Sequence, residues 1–193
     1  MQKTELRKMY LEKRKALSND EVLLLSEKVF EQFCHHFSLD GIKNVHVFLP
    51  IQKLNEVNTR LFIDHFWAKG ISVFVPKIKD GKMISLPYTR DTELVENAWG
   101  ILEPLNEDCQ EMSFDMVLTP LLYADSQGNR IGYGKGFYDY FFKNLKDEPI
   151  KIGLGFFEPK EAITDVSAED VRLDYLVTPD DKLSFDFTSI STK

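Results

Sequence analysis

The chain has 193 residues, 43% of them hydrophobic and 15 of them phenylalanine, enough apolar mass for a sizeable core, so one domain over residues 1–193 is the economical expectation. Its formal net charge of −7 speaks against a general affinity for nucleic acid or anionic membranes. Cys34 and Cys109 form no CxxC pair, and there is neither an apolar leader nor a run of about 18 apolar residues, so a soluble cytoplasmic protein without a disulfide framework or cysteine zinc site is expected. A monomer is the separate expectation for its assembly.

In chain order, residues 3–16 read as a helix. Ser18 and Glu21 make a capping box ahead of a second helix with Val22, Leu25, Val29, Phe33 and Phe37 on one side. Residues 45–49 read as a buried strand. Asn58 or Thr59 caps a helix through Ala68 that ends at Gly70, and a strand at 71–75 follows and is stopped by Pro76. A weaker strand at 83–86 leads to a loop around Trp99. Strands at 114–119 and 150–155 flank a helix starting near Phe137, and 176–178 adds a last short strand. Two strand-helix-strand units predict an α/β fold of three layers around a mostly parallel sheet, whose ligands gather beyond the carboxyl ends of the strands.

The run Gly128 to Asp139 reads GNRIGYGKGFYD. Three alternating glycines, Gly132, Gly134 and Gly136, permit backbone conformations in which successive N–H groups converge on an anion, with charge from Arg130 and Lys135 and a helix N-terminus just behind. It is not a Walker loop, since Gly136 stands where Ser or Thr would follow the lysine, and its Gly-x-Gly-x-Gly spacing is not the dinucleotide fingerprint. Glycine spacing alone suits a phosphate cradle or a tight strand-to-helix turn equally.

Other candidates are two-sided on the residues alone. At about 100° per residue, Lys3, Arg7, Tyr10 and Arg14 share a stripe about 60° wide on the first helix, either a solvated basic face or an anion site. Glu56 follows a strand and precedes a helix, where it can face a ligand or merely answer the helix dipole. Asp139 lies in the first helical turn, as a dipole or capping device or as a ligand. Trp99 suits a stacking wall or a partly buried core. His35, His36, His46 and His65 show no metal-ligand spacing and no triad, so they are assigned no chemistry.

The stretch Asp125 to Asp139 resembles the main signature of the 5-formyltetrahydrofolate cyclo-ligases, D-x-x-G-x-R-[LI]-G-x-G-x-G-[YF]-Y-D. Lys3 with Leu6-Arg7, Glu56-Val-Asn-Thr59, Trp99-Gly100, Glu103-Pro104 and Asp170 through Asp174 fall in that family's order, so the resemblance spans almost the whole chain. It implies the architecture of the superfamily that holds ribose-5-phosphate isomerase and CoA transferases. It implies that ATP meets Lys3, Arg7 and the run Arg130, Ile131, Gly132, Tyr133, Gly134, Lys135, Gly136, Phe137 and Tyr138, with Lys135 and Arg130 acting in catalysis. It further implies that 5-formyltetrahydrofolate meets Leu49, Glu56 and Trp99 together with Tyr133, Lys135 and Tyr138, and that Mg²⁺ is held at Asp139 and Asp170. Arg14 has no counterpart in this pattern, and Asp174 is read as shaping a turn.

The implied reaction activates the formyl oxygen with the γ-phosphoryl group of ATP, after which N10 attacks the same carbon and phosphate leaves. Such chemistry asks for alignment and charge neutralisation and needs no side-chain nucleophile. Two other classes compete: a sugar-phosphate isomerase or CoA-transferase-like enzyme, which forms product without ATP, and a non-catalytic nucleotide or folate module, which binds without conversion.

Overall fold

The structure, a computed structural model, describes residues 1–97, 100–107 and 112–185. Helix α1 (Lys3–Lys15) opens the chain, followed by α2 (Asn19–His36). The predicted capping box forms: Glu21 N–H donates to Ser18 Oγ at 3.2 Å while Ser18 N–H donates to the Glu21 carboxylate at 2.7 Å. Two donors that a helix start leaves open are thereby satisfied.

Strand β1 (Asn44–Val47), helix α3 (Arg60–Ala68) and strand β2 (Ser72–Lys79) form one crossover unit, and β6 (Met116–Pro120), helix α4 (Phe137–Asn144) and β9 (Ile150–Leu154) form the second. Strands β3 (Lys82–Tyr88), β10 (Tyr175–Val177) and β11 (Lys182–Ser184) complete a seven-stranded sheet among the described residues, in the order β11-β10-β9-β6-β1-β2-β3. The five central strands run parallel, and the edge strands β3 and β11 are antiparallel to their neighbours. The expected α/β architecture with a mostly parallel sheet is therefore present.

Residue alternation assigns the two faces of the sheet. Val45 and Val47 of β1, Val73 and Val75 of β2, and Met116 and Leu118 of β6 pack with Val29 and Phe33 of α2 and Phe62 and Phe66 of α3. Phe74 and Val117 turn to the other face and pack with Phe114 and with Phe141 of α4. Each fully buried phenylalanine on these helices contributes about 1.5–3 kcal/mol of burial, so both helices are held by the sheet rather than by helix propensity.

Three local expectations need correction. The second strand runs through Pro76 to Lys79, because beyond Phe74 it is paired only with β3, and a one-sided strand accommodates proline. Two short hairpins carried no clear periodicity: β4 (Leu94–Glu96) with β5 (Leu102–Pro104), and β7 (Tyr123–Ala124) with β8 (Arg130–Ile131). The last strand is followed by β11, which returns antiparallel at the sheet edge.

The two crossover units run in opposite directions from β1 and β6, which lie side by side. A crevice opens at such a point beyond the carboxyl ends of the strands. Helix α1 packs on β7 and β8 beside it, with Tyr10 stacked on Tyr123 at 4.1 Å between ring centroids.

Candidate functional site

The crevice is a cavity of about 510 Å³. Phe48, Leu49 and Pro120 enter it from the ends of β1 and β6, Pro76 and Ile78 from β2, Met83 from β3, and Ile101 and Glu103 from the β4-β5 hairpin. Lys3, Arg7, the whole run from Arg130 to Asp139, Glu56 and Asp170 line the rest. Every residue expected at the site is thus brought to one cleft except Trp99, which lies outside the described residues. Ile78, Met83 and Ile101 were missed, since an apolar residue of β2, β3 or the β4-β5 hairpin looks the same in sequence whichever way it points.

The loop between β8 and α4 departs in one respect from its expected glycine chemistry. Gly134 has φ +87° and Gly136 has φ +68°, the left-handed region that disfavours side chains. Gly132 has no positive φ, and a Cβ there would meet nothing within 4 Å. Its carbonyl instead accepts from Arg7 Nε at 3.0 Å. A Cβ on Gly134 would sit 3.3 Å from the Arg7 guanidinium carbon, so Gly134 answers both the turn and the close approach of α1.

Four cations line the cleft in two conditions. Lys3 is paired with Asp170, and Arg130 is buried, donating to Asp139 Oδ1 at 2.8 Å and to the Val171 carbonyl. Arg7 and Lys135 carry no carboxylate partner among the described residues, and Lys135 is exposed at the wall. These two are therefore the charges open to an incoming anion. Burial lowers the Arg130 pKa, and the charges of Asp139 and, more weakly, Asp170 oppose that fall.

Asp139 caps nothing on its own helix: the N-cap of α4 is Gly136, without a side-chain bond. Its Oδ1 accepts from Arg130 and from Val171 N–H at 2.9 Å. On Asp170, Oδ2 takes the Lys3 ammonium and the Ser167 N–H at 2.7 Å. Burial works to raise the Asp170 pKa, but Lys3 and the Ser167 bonds outweigh it and hold the carboxyl below its usual value. No group of three or more His, Cys, Asp or Glu able to hold a metal occurs among the described residues. Two hard carboxylates on one cleft wall nonetheless fit a magnesium ion that takes its other ligands from water and substrate phosphates. Asp174, read as shaping a turn, instead ties the start of β10 to β9: its carboxylate accepts from Lys151 N–H at 2.7 Å and pairs with Lys151 Nζ at 3.2 Å.

Glu56, which also lines the cleft, is 4% exposed. It follows a 3-10 turn at Gln52–Leu54, and its Oε2 accepts from Ile51 N–H at 2.7 Å while Oε1 accepts from Tyr133 O–H at 2.6 Å. Burial raises its pKa, and the Tyr133 and Ile51 bonds and the charge of Arg14 pull against that rise. Arg14 was left without a role by sequence, although Leu6, Tyr10 and Arg14 recur every four residues on the face that α1 buries. That spacing was the signal that it is not a solvated cation.

His46, assigned no chemistry, lies fully buried behind the cleft. Its Nδ1 is 2.8 Å from Ser85 Oγ and its Nε2 is 3.4 Å from the Tyr138 hydroxyl. Burial pushes its pKa down to about 3, so the ring is neutral. Burial, followed by the charge of Glu56, raises the Tyr138 pKa, so this phenol stays protonated at the cleft wall.

The profile of the 5-formyltetrahydrofolate cyclo-ligase family matches residues 1–179. The chain belongs to that family. A 5-formyltetrahydrofolate cyclo-ligase of Mus musculus is 26% identical over 196 residues, spanning 94% of this chain and 96% of its own length. Among solved structures, a 5,10-methenyltetrahydrofolate synthetase of Mycoplasma pneumoniae superposes with a TM-score of 0.73 at 26% identity, covering 93% of this chain and 99% of that one. The solution structure of the Aquifex aeolicus 5,10-methenyltetrahydrofolate synthetase gives 0.75 at 28% identity, covering 100% and 97%. The chain is accordingly an enzyme, a ligase of folate metabolism, and no helix among the described residues is long and apolar enough to cross a membrane.

Proposed function

We propose that this enzyme closes 5-formyltetrahydrofolate to 5,10-methenyltetrahydrofolate at the expense of ATP, through a phosphorylated formyl group. The observation that carries the reading is one cleft lined by two unlike sets of groups: Arg7 and Lys135 with a glycine loop, and a buried carboxylate with apolar side chains. An amide-like formyl oxygen is a poor leaving group. Transfer of the γ-phosphoryl group to it, with loss of ADP, converts it to a phosphate ester. N10 then attacks the formyl carbon and gives up its proton, and the C–O bond breaks with departure of inorganic phosphate.

In this reading Arg7 and Lys135 hold the triphosphate, and the N-terminus of α4 and the loop N–H groups receive the transferring group. Arg130 answers charge from behind Asp139. Leu49 and Phe48 pack the folate ring, and Glu56 accepts from the N–H edge of the pterin, whose two donors match one carboxylate. Asp139 and Asp170 would hold Mg²⁺, which when bound draws off phosphate charge and helps fix the phosphates in line. We read the protein as a monomer of one domain, and Cys34, a free thiol among the described residues, suits the reducing cytoplasm.

The test follows the methenyl chromophore. It should appear only when 5-formyltetrahydrofolate and MgATP are both present, with one ADP per ring closed. Cyclisation without nucleotide, or ADP release uncoupled from it, would overturn the mechanism.

Asp139→Asn addresses the metal. The variant should lose most turnover and need more magnesium, because an amide oxygen offers the cation less charge. It should also unfold earlier, by about 1–2 kcal/mol, since the buried Arg130 keeps only a neutral acceptor there. Circular dichroism should stay unchanged at low temperature. A normal rate and magnesium requirement with lowered stability would leave Asp139 as the partner of Arg130 alone.

A further inference from the structure

The basic stripe of α1 divides. Lys3 and Arg7 reach Asp170 and the glycine loop, but Arg14, 3% exposed, turns to the Leu121 carbonyl and the Tyr133 side chain. Its Nη1 donates to the Leu121 carbonyl at 2.9 Å and its Nη2 donates to the Tyr133 hydroxyl. That hydroxyl donates in turn to Glu56. The backbone repeats the link: Asn55, held in the left-handed region at φ 50°, donates through Nδ2 to the carbonyls of Arg14 at 3.0 Å and Leu17 at 2.9 Å. The residue before Glu56 is therefore clamped to the end of α1 that carries Arg14.

We propose that Arg14, acting through the Tyr133 hydroxyl, is a positioning residue of the folate subsite that holds the Glu56 carboxylate charged and oriented, and is not a phosphate ligand. The inference rests on reading Glu56 as the folate anchor. Each Glu56 oxygen accepts one fixed donor, Ile51 N–H on one side and Tyr133 O–H on the other, and each keeps a lone pair for a pterin donor. The fixed donors thus set the plane of the carboxylate without filling it.

A carboxylate so buried needs a counter-charge. Tyr133 from the glycine loop and Tyr138 from α4 stand near it as neutral phenols, Ile51 supplies a peptide dipole, and Arg14 from α1 is the cation that lowers its pKa. Arg7, Lys135 and Glu103 line the same cleft. Arg14 does not touch Glu56 itself, so its effect is the field of its charge plus the polarised hydroxyl between them.

The experiment measures kcat/KM for 5-formyltetrahydrofolate against pH at saturating MgATP. The parent should lose efficiency on the acid side as Glu56 takes a proton. In Arg14→Gln, and equally in Tyr133→Phe, the protonated form is favoured, so this acid limb should move up by about one pH unit, a tenfold loss on the acid side that recovers as pH rises. Arg14→Lys keeps the charge and should stay near the parent limb, and the KM for ATP should change less than about twofold in all three. A loss equal at every pH, an unmoved limb, or a loss falling on ATP would overturn the proposal. Should Arg14→Gln fail to fold, Tyr133→Phe and Arg14→Lys decide the same question. Glu56→Gln separates the two readings: it should bind folate poorly without an acid limb. If its folate KM is normal, the anchor reading fails and this inference with it. If that variant behaves as expected while Arg14→Gln and Tyr133→Phe keep the parent limb, only the role of Arg14 is wrong.

Discussion

Replacing Lys135 by alanine is expected to lower kcat/KM for ATP by about 30- to 1000-fold, roughly 2–4 kcal/mol of transition-state stabilisation, the range for removing one preorganised charged donor. Its setting makes the result clean. Lys135 lies between Gly134 and Gly136, both in the left-handed region, and is exposed on the cleft wall with no carboxylate partner among the described residues. Removing it strands no buried group, so thermal unfolding should shift by no more than about 0.5 kcal/mol. Lys3 and Arg130 differ here, because each would leave Asp170 or Asp139 without its cation. Titrating ATP at saturating folate measures the effect. A defect confined to the KM for folate would move Lys135 out of the phosphate end.

Glu56→Gln is expected to raise the KM for 5-formyltetrahydrofolate by about 50- to 100-fold, or 2–3 kcal/mol, with the KM for ATP little changed. The amide has one acceptor where the carboxylate has two. If its oxygen keeps the Ile51 N–H, its NH₂ faces the Tyr133 hydroxyl and the pterin donors. Titrating folate at saturating MgATP checks this. Impaired ATP use with normal folate affinity would exchange the two ends of the cleft.

Much of the fold was legible because its periodicities are local. The capping box at Ser18 and Glu21, the amphipathic faces of α2 and α3, and the apolar runs of β1, β6 and β9 each follow from spacing alone, and the two crossover units follow from their alternation. The hairpins β4-β5 and β7-β8 were not legible, since strands of two or three residues are defined by their partner and not by their own pattern. Pro76 misled for a related reason. A proline ends a strand only where both sides must pair, and sequence does not say that β2 outruns β1.

The residues of the site could be named from their motif order, because glycine spacing, charge and the resemblance all concern chain neighbours. What each one does with its charge depended on groups far along the chain. Asp139 answers Arg130 and Val171, and Lys3 answers Asp170 at the far end of the sequence. Gly132 proved to be an acceptor for Arg7 and not a conformational necessity. By itself the sequence determined the two crossover units, the glycine loop and the family. Tertiary structure alone decided that Arg14 is buried, that Tyr133 spans from the glycine loop to Glu56, and that Arg7 and Lys135 are the cations left open, because a charge is neutralised by whatever packing brings within a few ångströms of it.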